Sequence, residues 1–122
     1  MAAEVWVVEF YVEPGGRRPV NEFVGALDVK SKARLLAAIE QLRARNVDAC
    51  EPLVRHLEGK LWELRRESGR NIYRLMYFFF TGRRIVFLHG FQKKTQKTPR
   101  REIETALRRM DDFIQREGVK QL

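Results

Sequence analysis

The sequence predicts an α+β fold in which a helical hairpin packs on a mostly antiparallel sheet and a further helix ends the chain. Three observations support this prediction. An alternating apolar segment comes first, two segments with a helical apolar period follow, and three strand-like segments separated by glycine turns precede a last helical segment. The expected order of elements is βααβββα. With 122 residues, 44% of them hydrophobic, the chain suits one core, so we expect a single domain over residues 1–122.

The first half of the chain is expected to form one strand and two helices. Residues 4–12 alternate and are rich in β-branched and aromatic side chains, which is typical of a strand. Pro19 suits the first position of a helix, and Asp28 suits the N-cap of the next one. The apolar positions of the first helix are Val20, Phe23, Val24 and Leu27. Those of the second are Leu35, Leu36, Ile39 and Leu42. The two helices should form a hairpin on one face of the sheet.

The second half is expected to form three strands and one helix. After a loop at residues 46–52, the predicted strands are 60–67, 71–80 and 83–93. Gly69 and Gly82 mark tight turns between them, so we expect neighbouring antiparallel strands. Thr98 and Pro99 predict the start of the last helix. Its apolar stripe is Ile103, Ala106, Leu107, Met110, Phe113 and Ile114.

The turns also predict a register. A two-residue turn at Thr81 and Gly82 places Arg74 opposite His89, and a four-residue turn at residues 67–70 places Glu63 opposite Arg74. Since side chains alternate across a sheet, two faces follow. The polar face comprises Glu63, Arg65, Arg74, His89 and Lys93. The apolar face, expected to cover the core, comprises Trp62, Leu64, Tyr73, Leu75, Tyr77, Phe79 and Leu88.

The positive charge of the chain is local. The net charge is +8, and residues 61–101 contain eleven Lys and Arg against two acids. A cationic strip of this kind is typical of a surface that binds phosphate groups, and RNA is the partner that it fits best. A solvated basic surface is the alternative reading of the charge.

Several other classes are not supported by the sequence. No apolar run reaches the roughly 18 residues that a membrane span needs, so no membrane partner is expected. No basic segment precedes an apolar one at the N-terminus, so no signal peptide is expected. The single cysteine, Cys50, cannot form an internal disulfide, and no Cys or His spacing suggests zinc. We therefore expect a cytoplasmic protein with no metal and no cofactor.

Two segments carry a family resemblance. LWELRRESGRNIYRLMYFF, from residue 61, and RIVFLHGFQKKTQKTPRREIETALRR, from residue 84, resemble the RelE/ParE superfamily of toxins, and specifically its HigB-like, phage-related branch. The resemblance covers most of the chain. It implies a RelE-like fold, similar to that of microbial ribonucleases, in a toxin of a type II toxin–antitoxin system.

The resemblance implies a function as well. RelE-like members cut messenger RNA, usually on the ribosome and without a metal, and thereby inhibit translation. A cognate antitoxin neutralises them, and in the HigB-like branch it is typically a helix-turn-helix protein that also brings the pair to DNA. Two alternatives remain open: a ParE-like inhibitor of DNA gyrase, and a non-catalytic nucleic-acid-binding protein of phage origin.

Metal-free RNA cleavage defines the roles that candidate residues must fill. Fixed cations stabilise the charge of the phosphorane, and a further group moves protons. The family positions match Arg65 and Arg74 as the cations, with His89 or Lys94 for the protons. Glu63 stands where several RelE-type ribonucleases have a lysine, so it is a candidate proton acceptor. The candidates for RNA binding are Arg66, Arg70, Lys93, Lys97 and Arg100. An ion pair with Glu63 remains the alternative for the two arginines, and a hydrogen-bonded strand histidine for His89.

Overall fold

The computed structural model describes residues 5–93 and 97–120, which form one five-stranded sheet with helices on both faces. The strand order is β1-β5-β4-β3-β2, with β1 parallel to β5 and the other neighbours antiparallel. The strands are β1 Val7–Phe10, β2 Val54–Glu58, β3 Leu61–Ser68, β4 Asn71–Phe80 and β5 Arg84–Lys93. The helices are α1 Pro19–Gly25, α2 Val29–Arg45, a 3-10 turn Asn46–Asp48 and α3 Arg100–Lys120. The predicted RelE-like α+β fold is confirmed.

One strand of this sheet was not predicted. β2 precedes the three expected strands and pairs with β3, so the meander has four strands. Gly59, at the turn between them, has φ of 54°, a conformation that favours glycine. This Gly-Lys turn is the signal in the sequence that could have identified the strand. The pairing is irregular between His56 and Glu58, which weakens the alternation that a strand normally shows.

The helical hairpin covers one face of the sheet, as predicted. Its core includes the expected apolar face of the strands except Leu88. Asp28 caps α2 by accepting a hydrogen bond from the amide of Ser31 at 3.1 Å. The prediction for Leu36 was wrong: it is 47% exposed, and Ala38 takes its place in the core because 38 lies three positions after Leu35.

Helix α3 covers the opposite face and packs mainly on β4 and β5. Every residue of its predicted apolar stripe belongs to the hydrophobic cluster between α3 and this face of the sheet. None of the helices in the part of the chain that the structure describes has the length and apolar character needed to cross a membrane.

The predicted register was wrong in both hairpins. The turn between β3 and β4 has two residues, since Ser68 pairs with Asn71. Arg65 therefore lies opposite Arg74. The true register differs from the predicted one by two positions, so Glu63 and Arg74 still share a face even though they are not opposite each other.

The second hairpin differs for two reasons. Its turn has three residues, since Phe80 pairs with Arg84, and a β-bulge interrupts the ladder between Met76 and Tyr77. Together they place Phe91 opposite Arg74, and His89 opposite Met76. The three-residue turn explains why Leu88 lies in the cluster beneath α3 and not on the hairpin face, because it shifts the alternation of β5 by one position. The bulge then places the next side chain, that of His89, on the same face as Leu88.

Candidate functional site

The centre of the candidate site is a hydrogen-bonded cluster of Glu63, Arg74 and Thr98. Oγ1 of Thr98 donates to Oε2 of Glu63 at 2.7 Å and accepts from Nη1 of Arg74 at 2.8 Å. Nη1 of Arg74 also lies 3.4 Å from Oε1 of Glu63. The side chains of Glu63 and Arg74 have no exposed surface. The cluster therefore links the segment before α3 to the middle of the sheet.

This burial determines the electrostatics of the cluster. Loss of solvation lowers the pKa of Arg74 below its ordinary value, and the charges of Arg65 and Arg55 lower it further, whereas Glu63 raises it. A buried guanidinium is stable only when an opposite charge and hydrogen bonds compensate it. Glu63 therefore serves as the counter-ion of Arg74. Both of its oxygens accept hydrogen bonds within the cluster, and its side chain has no solvent contact.

Two further arginines lie on the same face and are accessible. Arg65 is 21% exposed, and its Nε lies 3.6 Å from Oε1 of Glu63. Arg55, which lies opposite Glu63 on β2, is exposed. Sequence analysis missed Arg55 because it missed β2. The accessible positive charge is thus at Arg55 and Arg65, while Arg74 lies beneath the surface.

A shallow pocket of about 400 Å³ adjoins this cluster, between β2 and the start of α3. Its lining consists of Arg55, His56, Leu57, Lys97, Thr98 and Ile103. Lys97 is exposed at this pocket, as expected for a residue that contacts a phosphate. The pocket therefore combines two cationic side chains with the hydroxyl-bearing residue that holds Arg74.

The structure does not bring His89 together with Arg74. His89 lies beneath α3, where its Nε2 is 3.1 Å from Oε1 of Glu102 and its Nδ1 is 3.0 Å from Nη1 of Arg109. Because an arginine can only donate, Nδ1 accepts, and Nε2–H donates to Glu102. This arrangement matches the alternative reading of His89 as a hydrogen-bonded strand histidine.

The environment of His89 favours its neutral form. Burial lowers the pKa of His89, the charges of Arg109 and Arg108 lower it further, and Glu102 raises it. The arginines that lower the pKa of His89 come from α3 and not from the strands.

The other predicted residues are scattered. Arg66 is on the sheet face that the helical hairpin covers, and Arg70 is in the turn between β3 and β4. Lys93 is the last residue of β5 and lies opposite Ile72. Arg100 is paired with Glu58 and Glu104. Lys94 lies outside the described residues. The structure thus brings together Glu63, Arg65, Arg74 and the Thr98 segment, but not the full predicted set.

No cluster of metal ligands is found here. Within residues 5–93 and 97–120, no three His, Cys, Asp or Glu side chains lie close enough together to hold a metal ion.

Comparison with known proteins identifies relatives of this chain. Residues 22–111 match the model of the family described as "Phage derived protein Gp49-like (DUF891)". The chain is also 29% identical over 100 residues to "Probable endoribonuclease HigB1" of Mycobacterium tuberculosis, in the strains CDC 1551 / Oshkosh and ATCC 25618 / H37Rv. That alignment covers 82% of this chain and 78% of the relatives. The matched family region contains the whole four-stranded meander and half of α3.

Proposed function

The chain belongs to the Gp49-like family of phage-derived proteins and is a HigB-like toxin, and from this premise we propose that it is a ribosome-dependent endoribonuclease that cuts messenger RNA without a metal. The relatives named as endoribonucleases support the reaction class. The observation that carries the proposal is the accessible cationic surface of Arg55, Arg65 and Lys97 around the Thr98 pocket.

In the proposed reaction the 2′-hydroxyl gives up its proton to solvent water and attacks the adjacent phosphorus. A 2′,3′-cyclic phosphate forms as the bond from phosphorus to the 5′-oxygen breaks, and the leaving oxygen takes up a proton. Arg65 contacts the phosphate, because its side chain is partly exposed while Glu63 restrains it. A restrained cation stabilises the developing charge without first having to reorganise. Arg55 adds positive charge from the neighbouring strand.

Arg74 is proposed as a positioning residue. Its side chain is fully buried, so it acts through Glu63, which it holds in place next to Arg65. Lys97, exposed at the pocket, is the proposed donor of the proton to the leaving 5′-oxygen, with Lys94 as the neighbouring candidate.

A cognate antitoxin is the proposed protein partner. By analogy with the HigB-like branch, it is a helix-turn-helix protein that keeps the toxin inactive in the cytoplasm and links the pair to DNA. Message and ribosome are the proposed targets of the free toxin.

Controlled expression of Arg65→Ala in growing bacteria tests the proposal. Primer extension on messages should show that the discrete cleavages of the wild type are reduced about 100-fold in the variant, and growth arrest should be relieved. Loss of one fixed hydrogen-bond donor slows acyl transfer on this scale. The control is Lys60→Ala, which removes an exposed charge at the turn between β2 and β3. Full toxicity of Arg65→Ala would refute the assignment. DNA breaks without message cleavage would favour inhibition of gyrase instead.

A further inference from the structure

A second cationic pocket lies outside the site described above. It has a volume of about 630 Å³, within the range of small-ligand sites. It is lined by Gln41, Arg45, Cys50, Pro52, Leu53, Arg65, Arg66, Glu67 and Ile72. It lies between the end of α2 and the outer edge of β3, and Arg65 belongs to both sites.

Two arginines of this pocket, Arg45 and Arg66, differ from many other arginines on the surface. Many surface arginines are paired with acids, namely Arg17, Arg43, Arg84, Arg100 and Arg116. Arg45 and Arg66 form no ion pair within the described ranges, where the hydrogen-bond partner of Arg45 is Sγ of Cys50 at 3.5 Å. Nε of Arg66 is buried and has no acceptor among the same residues. Such donors can be satisfied by an anionic ligand.

The remaining walls suit a planar ring. Pro52, Leu53 and Ile72 supply apolar surface next to the arginines. The backbone edge of β3 is also open here. The amide of Arg65 donates to the carbonyl oxygen of Leu53 at 2.9 Å, and β2 begins only at Val54. The next outward-facing N–H and C=O of the strand, those of Glu67, therefore lie beyond the end of β2 and are positioned to contact the edge of a base.

We propose that this pocket binds one nucleotide of the RNA strand, next to the nucleotides at the cleavage site. The base packs on Pro52, Leu53 and Ile72, and Arg45 and Arg66 contact the phosphates. This inference rests on the proposed nuclease function and extends its substrate site. The RNA strand would then run from Lys97 past Arg65 to Arg45, so Arg65 connects the two pockets.

Alkylation of Cys50 tests the proposal directly. Cys50 is exposed, lines the pocket and is the single cysteine of the chain, so the intact mass reports on it alone. The probe is a single-stranded RNA of about ten nucleotides, the size that one nucleic-acid-binding domain covers. Every ribose carries a 2′-O-methyl group, so the strand cannot be cleaved. We expect saturating RNA to slow alkylation by N-ethylmaleimide at least about tenfold, as for a thiol covered by a bound base.

Variants separate the pocket from the cleavage site. In Arg45→Ala, and in Arg45→Ala with Arg66→Ala, the ratio of alkylation rates with and without RNA should return close to one. Arg34→Ala is the matched control, since it removes an α2 arginine outside the pocket. Arg45 is exposed at the end of its helix, so its replacement should leave the fold intact.

The outcomes distinguish this inference from the proposed function. RNA that binds while Cys50 reacts at an unchanged rate would overturn the nucleotide pocket and leave the nuclease proposal standing. RNA that the wild type does not bind would also overturn the pocket. The nuclease proposal fails separately, if messages show no discrete cleavages when the wild type is expressed in growing bacteria. Protection that persists in the double variant would also overturn the assignment of the phosphates to Arg45 and Arg66.

Discussion

The hydroxyl of Thr98 donates a hydrogen bond of 2.7 Å to the carboxylate of Glu63, although the two residues lie 35 positions apart. The same hydroxyl accepts from Arg74 at 2.8 Å. One side chain from the segment before α3 thus completes the hydrogen bonding of a charged pair buried within the sheet. The family resemblance implies that Arg74 stabilises the phosphate, whereas its complete burial supports the proposal that it positions Glu63 beneath the accessible arginines.

Replacing Glu63 should reveal how much of the fold depends on this pair. Glu63→Gln leaves the buried Arg74 without its counter-ion, and loss of one partner of a buried pair costs roughly 3–5 kcal/mol. Urea denaturation measures this loss in the free energy of unfolding. Glu67→Gln, on the exposed end of the same strand, should change it by less than about 0.5 kcal/mol. Adding Arg74→Met to Glu63→Gln should recover part of the stability, and no recovery would argue against the charge pair as the cause.

Thr98→Val tests the hydroxyl alone. Valine keeps the shape but removes one donor and one acceptor, which should lower the free energy of unfolding by about 1–3 kcal/mol. Thr98→Ser should keep both the stability and the RNA cleavage rate close to those of the wild type, because serine retains the hydroxyl. Thr105→Val is the control, since this half-buried threonine bonds only to the carbonyl oxygen of Arg101 among the described residues. Equal effects of the two valine variants would contradict the role given to Thr98.

The stability of the protein should depend on pH through His89. Because its pKa is lowered in the folded protein, the unfolded chain binds a proton more readily below its ordinary pKa of about 6.5. The contribution of His89 to the free energy of unfolding is therefore complete above that pH. It decreases, by at most about 1.4 kcal/mol per pH unit, as the pH falls from about 6.5 to the lowered pKa of the folded protein, and it is constant below that pH.

Unfolding curves at pH 7.5 and 5.5 measure this contribution. His89→Gln should reduce the loss of stability between the two pH values, whereas His56→Gln, an exposed histidine on β2, should not. An identical pH dependence in wild type and His89→Gln would show that another group is responsible.

Two glycine substitutions should change the stability of the fold in opposite directions. At Gly90 an added Cβ would lie 2.6 Å from Cδ2 of Phe23 and 2.8 Å from Cδ2 of Leu75. Gly90→Ala should therefore destabilise the fold by about 1–3 kcal/mol. At Gly118, within α3, no atom lies within 4 Å of the added Cβ, and Gly118→Ala should stabilise by about 0.5–1 kcal/mol. Thermal unfolding of both variants checks the two signs, and a stable Gly90→Ala would contradict the close packing of α1 on β5.

The sequence alone determined the types of most elements and the faces of β3 and β4. Alternation is a local property, and a register error of two positions leaves it unchanged, so Glu63, Arg65 and Arg74 were placed together correctly. The apolar stripe of α3 was likewise predicted in full, because helical periodicity depends only on neighbouring residues.

Only the tertiary structure decided the burial and the partners of these residues. The turn lengths and the bulge set the register of β4 and β5, and α3 supplied both partners of His89. Thr98 closed over Arg74 from 24 positions away. Contacts of this kind depend on how helices dock on the sheet, a long-range packing arrangement that no local sequence pattern encodes. For that reason the sequence identified a cationic face, and the fold decided which of its cations reach the surface.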